Sequence, residues 1–191
     1  MVFFLCCTHS CNTNLFRPCI TGNIHQQPTM SIYIFSRPIH SGKTTELLQW
    51  CNRQQNIAGI LMPDIDGSRK ILDLNTKEIF DIECADTINT NEPLTSVGRF
   101  HFYTAVFEKA NLIITHALTQ NHDWLVIDEA GKLELEGKGF YESIVKAVEF
   151  FQNKQTADNL LITVRDSLCE EVMLFFKIKN GRVIHQLEGL T

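Results

Sequence analysis

Two short stretches of this 191-residue chain carry residues suited to phosphate chemistry. The first runs Arg37-Pro38-Ile39-His40-Ser41-Gly42-Lys43-Thr44-Thr45. Its end matches the pattern G-x-x-x-x-G-K-[ST], in which backbone N–H groups and a helix N-terminus cradle phosphate oxygens. In that arrangement Lys43 reaches the β- and γ-phosphates, and the Thr44 hydroxyl holds Mg2+. The second stretch is Trp124-Leu125-Val126-Ile127-Asp128-Glu129, an apolar run that ends in two carboxylates. At the carboxyl end of a buried strand, where open α/β sheets bind ligands, an aspartate can hold Mg2+ through water. A glutamate beside it can orient or deprotonate an attacking water.

Each stretch has an ordinary reading as well. The first can be a helix that begins near Ser41 as its N-cap and displays an exposed lysine. The second can be the solvent end of a strand. The two together, about 85 residues apart in a matching pattern of elements, favour the chemical reading.

Strands must deliver both stretches to one edge. Residues 31–36 are short, β-branched and aromatic, and Arg-Pro ends them, which predicts a buried strand just before the loop. Residues 42–54 place Leu47, Leu48 and Cys51 on one helical face. Residues 57–62 read as a second strand. Residues 63–84 hold turn signals at Asp66-Gly67 and Asn75-Thr76, which predict a β-hairpin excursion. The faint likeness of 64–67 to a calcium loop fails because the later ligands are missing. Residues 97–103 suggest a strand. Residues 105–119, 140–152 and 167–177 have helical periodicity. Residues 160–164 form another apolar strand, and Asn180-Gly181 turns into a last strand at 182–187. Strands without a polar face, separated by amphipathic helices, predict an α/β fold with a mainly parallel sheet covered on both sides.

Net charge is −5, which argues against a broad nucleic-acid-binding face. No apolar run is long enough to span a membrane as a helix. Residues 1–29 hold four of the seven cysteines (Cys6, Cys7, Cys11, Cys19) and no clear periodicity. They read as a disordered leader or an over-called start ahead of Met30, not as a secretory signal, which needs a basic start and a longer apolar core. A zinc site from those cysteines and His25 has no recognised spacing. Residues 30–191 then form one domain, at ~150 residues per domain. The other cysteines, Cys51, Cys84 and Cys169, are single and scattered, as expected in a reducing cytoplasm.

Arg37 stands where the loop pattern has its first glycine. An arginine there costs of order 1 kcal/mol if its φ is positive. Pro38 favours an extended, negative-φ residue before it, so Arg37 reads as a tolerated shoulder whose head reaches solvent. Arg165 follows the strand at 160–164. It suits either an arginine finger in cis or an ion pair with Asp166 or Glu170. Gly131-Lys132 reads as the turn that positions Glu129, with Lys132 a lesser candidate for phosphate contact. Trp124, Phe100, Phe102 and Phe107 fit the core better than a base-stacking platform. Arg99 has no assignable role.

Taken in order, "GKTT" at 42–45, "GIL-P" at 59–63, "VGRF" at 97–100, "LVIDEAGKLEL" at 125–135 and "GKGF" at 137–140 resemble the small P-loop nucleoside-triphosphatases. The archetype of that family is a thermophile enzyme, and it has cancer-related nucleoside-triphosphatase relatives. The resemblance covers about 30–191, and its "IDE-G-LEL" block is the most specific part. It implies a P-loop NTPase fold and hydrolysis of nucleoside triphosphates to diphosphate and phosphate, with Mg2+ and broad base tolerance. By position, Pro38, Ile39, His40, Ser41, Gly42, Lys43, Thr44 and Thr45 would line the phosphates. Asp128 and Thr44 would serve the metal, Glu129 the water. Arg37 departs from the family's usual glycine. Two other functions compete. The second is a nucleoside or nucleotide kinase, since "PIHSGKTTEL" also resembles the loop of thymidine kinases, but their late paired Cys-x-x-C zinc element is absent here. A nucleotide-binding switch with little turnover is the third reading.

Overall fold

The computed structural model describes residues 32–153 and 158–190. The expectations for 1–29 lie outside the described residues.

The chain runs β1 (Ile32–Arg37), α1 (Lys43–Cys51), β2 (Ile57–Leu61), β3 (Asp64–Ile65), β4 (Ser68–Asp73), β5 (Ile79–Asp81), β6 (Leu94–Val97), β7 (Phe100–Tyr103), α2 (Thr104–Ala117), β8 (Trp124–Ala130), α3 (Lys132–Leu135), α4 (Tyr141–Asn153), β9 (Asn159–Arg165), α5 (Cys169–Phe175) and β10 (Gly181–Ile184). The main sheet is ordered β10-β1-β9-β8-β2-β4-β3, with β5 also paired to β4. The five strands from β10 to β2 are parallel, and β4 adds to β2 antiparallel.

Handedness explains where the helices go. From β1 the chain moves past β9 and β8 to β2, and every later parallel crossover moves back the other way. Right-handed crossovers in opposite directions must lie on opposite faces of the sheet. Accordingly α1 packs on one face and α2, α4 and α5 on the other. Side chains of β8 alternate between the two layers. Trp124 and Val126 join Leu47, Trp50 and Cys51 of α1, while Leu125 and Ile127 join Phe107, Ile114, Ile144 and Val148. The thinner layer is completed by the C-terminal segment, where Leu187 is buried and the Leu190 carbonyl accepts from the Trp50 indole at 3.0 Å.

The α/β reading with a mainly parallel sheet covered on both faces therefore holds, and so does the excursion at 63–84. That excursion widens the sheet: β4 is a member of it through β2. Residues 94–103 form a two-stranded hairpin of their own, where a single strand at 97–103 was expected. Gly98, at φ 57°, makes the turn. A seven-residue run rich in aromatics masks a glycine-centred reversal, because both arms share the same β-forming composition.

Candidate functional site

The crevice between β1 and β9 is where the crossovers diverge, so the loop after β1 opens into the switch point of the sheet. Arg37 is the last residue of β1 and pairs in register with Arg165 of β9. Pro38, Ile39 and His40 are exposed at the tip of the loop. His40 and Gly42 take positive φ, 58° and 79°. Such left-handed residues among right-handed ones turn backbone N–H groups inward to make an anion-binding concavity. For His40 that conformation costs of order 1 kcal/mol, which the surrounding loop must supply.

Gly42, not Ser41, is the N-cap of α1. Lys43 is 6% exposed, which rules out the exposed lysine of an ordinary helix start. Its Nζ donates to the carbonyls of Arg37 and Pro38, each at 3.2 Å. An ammonium has three donors, so one remains for an anion above the loop.

Arg37 is extended, as Pro38 requires, but its head does not simply reach solvent. One guanidinium nitrogen donates to the Ser41 carbonyl at 2.9 Å, and another binds the Glu46 carboxylate in the first turn of α1. The second oxygen of Glu46 accepts from the Leu187 amide at 3.1 Å. Arg37 is thus a clamp across the loop that also ties it to the C-terminal segment. Arg37→Gly should lower Tm by a few degrees through loss of the clamp and added chain entropy. Turnover should stay within about tenfold, a barrier change of about 1.4 kcal/mol or less, because Lys43 and the loop amides are untouched. Phosphate release and a melting curve on the same variant check this. A loss as large as that from Lys43→Ala would place the arginine on the phosphates.

Two strands from β1, the end of β8 is irregular. Ile127 pairs with Ile162 and Ala130 with Val164, so two residues of β8, Asp128 and Glu129, oppose the single Thr163. A bulge of this kind re-aims side chains that would otherwise alternate between faces. Asp128 is 1% exposed. Its Oδ1 accepts from the Thr163 hydroxyl and its Oδ2 from the Met62 amide at 3.2 Å, and Thr44 of the loop lies close by. Burial, together with the charge of Glu129, pushes its carboxyl above the ordinary range. Glu129 is reached by Arg165, whose Nε donates to Oε1 at 3.1 Å. Arg165 therefore pairs with Glu129 and not with Asp166 or Glu170.

The oxygen donors of Thr44 and Asp128 suit a hard cation such as Mg2+. Thr44 stands close to Asp128, so the two predicted metal ligands are neighbours, and a buried carboxyl disfavoured as an anion gains most from a cation beside it. The fit is good.

Glu134 was missed by the sequence reading. It is 3% exposed, and its carboxylate accepts from the amides of Gly131 at 2.8 Å and Phe140 at 3.0 Å. It holds together the segment that follows the two acidic residues. A Cβ on Gly139, which has φ 62°, would come within 2.2 Å of a Glu134 oxygen, so glycine is required there. The E-x-x-x-x-G spacing in "ELEGKG" was the available signal.

Burial raises the Glu134 carboxyl above its usual value, so the folded protein binds this proton more tightly than the unfolded chain. Its contribution is most favourable below about pH 4 and declines as pH rises through the raised folded value. Glu134→Gln removes that decline. The Tm of Glu134→Gln relative to wild type should therefore rise between pH 5 and pH 8, and parallel Tm–pH curves would refute the assignment. Lys132 is exposed on the wall of a neighbouring cavity with Arg99 and the half-buried Phe100, while Trp124, Phe102 and Phe107 are buried.

A family model described as NTPase matches residues 32–187. Among solved structures, the chain resembles THEP1 from the hyperthermophile Aquifex aeolicus, at TM-score 0.60 and 17% identity over 80% of this chain and 88% of that one. It also resembles a human cancer-related nucleoside triphosphatase, at TM-score 0.57 and 17% identity over 83% and 90%. Comparison with curated proteins finds no significant sequence match. Among the described residues, no helix is long and apolar enough to cross a membrane.

Proposed function

This chain belongs to the NTPase family, and from that premise we propose that it hydrolyses nucleoside triphosphates to diphosphate and phosphate with Mg2+. The observation that carries the proposal is the β8 bulge, where Asp128 lies close to Thr44 of the loop and Glu129 is held by Arg165. Metal ligand and general base thus stand on adjacent residues beside a formed phosphate loop.

The backbone N–H groups of residues 40–45 and the third donor of Lys43 bind the β- and γ-phosphates. Thr44 and Asp128 would hold Mg2+, which when bound would neutralise charge on the phosphate oxygens. Arg165 occupies Oε1 of Glu129 and fixes the direction of its carboxylate. Oε2 is left to accept the proton of the attacking water. The hydroxyl of the buried Thr163 donates to Asp128 and fixes the direction of its carboxylate. Nothing in this set reads a base, which fits broad tolerance among ATP, GTP, CTP and UTP.

The test is phosphate release across those four nucleotides with Mg2+ and with EDTA. Release with all four, abolished by EDTA, is the expected result. Tight nucleotide binding without release would overturn hydrolysis in favour of a nucleotide-binding switch.

A further inference from the structure

Beside Glu129, on the side away from the phosphate loop, lies a cavity of about 230 Å3. Strand order sets this placement. The loop follows β1, whereas the cavity is reached from the ends of β9 and β8, from Met62 after β2 and from Arg69 on β4. A triphosphate whose terminal group meets Glu129 therefore abuts this cavity.

The charged side chains of the lining are mostly cationic, set beside an apolar wall that includes Phe100, Phe102, Phe107 and Phe140. Arg165 is spent on Glu129, and the Glu134 carboxylate is spent on two backbone amides. The side chains of Arg69, Arg99 and Lys132 form no ion pair among the described residues, while the Arg69 backbone amide donates to the Glu83 carboxylate at 2.9 Å. The guanidinium carbons of Arg69 and Arg99 lie 5.4 and 5.0 Å from the centroid of the Phe100 ring. Stacking on an aromatic face orients a guanidinium and leaves its N–H edge free for a bidentate anion. A hydrolytic water needs only about 10–15 Å3 of such space, so the cavity is far larger than hydrolysis requires.

We propose that this cavity seats a second substrate, a small phosphorylated alcohol. Arg69 and Arg99 grip its phosphate, and its hydroxyl is presented to Glu129. The inference rests on the nucleotide reading above and names the acceptor that competes with water at the same site. The hydroxyl oxygen forms a bond to the γ-phosphorus, and the bond from that phosphorus to the β,γ-bridging oxygen breaks. The electron pair leaves with the nucleoside diphosphate, and the hydroxyl proton passes to Oε2 of Glu129. A phosphate dianion suits two guanidinium forks and a nearby ammonium better than a neutral sugar does.

The experiment incubates the full chain with Mg2+ and γ-32P-labelled ATP, plus glycerol 3-phosphate, ribose 5-phosphate or a nucleoside 5′-monophosphate. Glycerol and ribose serve as uncharged controls. Labelled ester with at least one phosphorylated probe, and none with the controls, is expected. The double variant Arg69→Ala/Arg99→Ala should lower ester formation at least tenfold and leave phosphate release without probe within about twofold. Arg99→Glu, at an exposed turn, gives an independent loss of transfer. Phosphate release with no labelled ester from any probe overturns this proposal alone, as does transfer that survives the double variant. A chain that releases no phosphate under any condition overturns the hydrolysis reading, and this inference with it.

Discussion

Lys43→Ala should lower turnover by about 10³-fold or more, a loss of about 4 kcal/mol of transition-state stabilisation. The side chain is almost fully buried, and two of its donors hold the carbonyls of Arg37 and Pro38. The third is the donor proposed to serve the anion, through a contact that would strengthen as charge shifts onto the β,γ-bridging oxygen. Losing two hydrogen bonds to the loop costs about 1–2 kcal/mol of stability, a few degrees in Tm. Catalysis should therefore fall far more than folding. Lys43→Met keeps the aliphatic stem in its slot and separates packing from charge. Steady-state phosphate release, nucleotide titration and melting curves on both variants decide the matter. Near-normal turnover in Lys43→Met would remove the ammonium from the mechanism.

Glu129→Gln should keep nucleotide binding and lose about 10²-fold or more in turnover, about 2.7 kcal/mol. Glutamine is nearly isosteric, and its carbonyl oxygen can still accept from Arg165 Nε. The geometry of the bulge and the bond from Arg165 thus persist, while the proton-accepting oxygen becomes an amide. The signature is a lower kcat with little change in nucleotide Kd. Equal loss of binding and turnover would mean that Glu129 acts as a ligand to metal or phosphate. Unchanged turnover would mean that another group handles the water.

Much of this was legible in the sequence because local signals and packing agree. Ile32, Ile34 and Phe35 are apolar because both faces of β1 are covered, so the strand before the loop announces itself as a continuous hydrophobic run. The Gly-Lys-Thr entry to α1 and the acidic end of β8 are contiguous motifs, so each was visible without knowing its neighbours. The family's fold and the helices on both faces follow from the alternation of such runs. The hairpin at 94–103 was not legible, since its glycine turn lies between two stretches of the same composition.

What the sequence determined by itself was the identity of the groups: a lysine and threonine at the mouth of a helix, and two carboxylates at the end of a buried strand. Their mutual placement was decided only by the fold. Arg37 and Glu46 meet because loop and helix turn back on each other, and Glu46 reaches Leu187 across 141 positions of chain. Arg165 reaches Glu129 because β9 lies between the strand that feeds the loop and the strand that carries the acids. Asp128 and Glu129 can both serve the site because β8 bulges against Thr163, where a regular strand would send adjacent side chains to opposite faces. Such contacts depend on register and strand order, which are set by long-range burial and leave no trace in the spacing of residues along the chain.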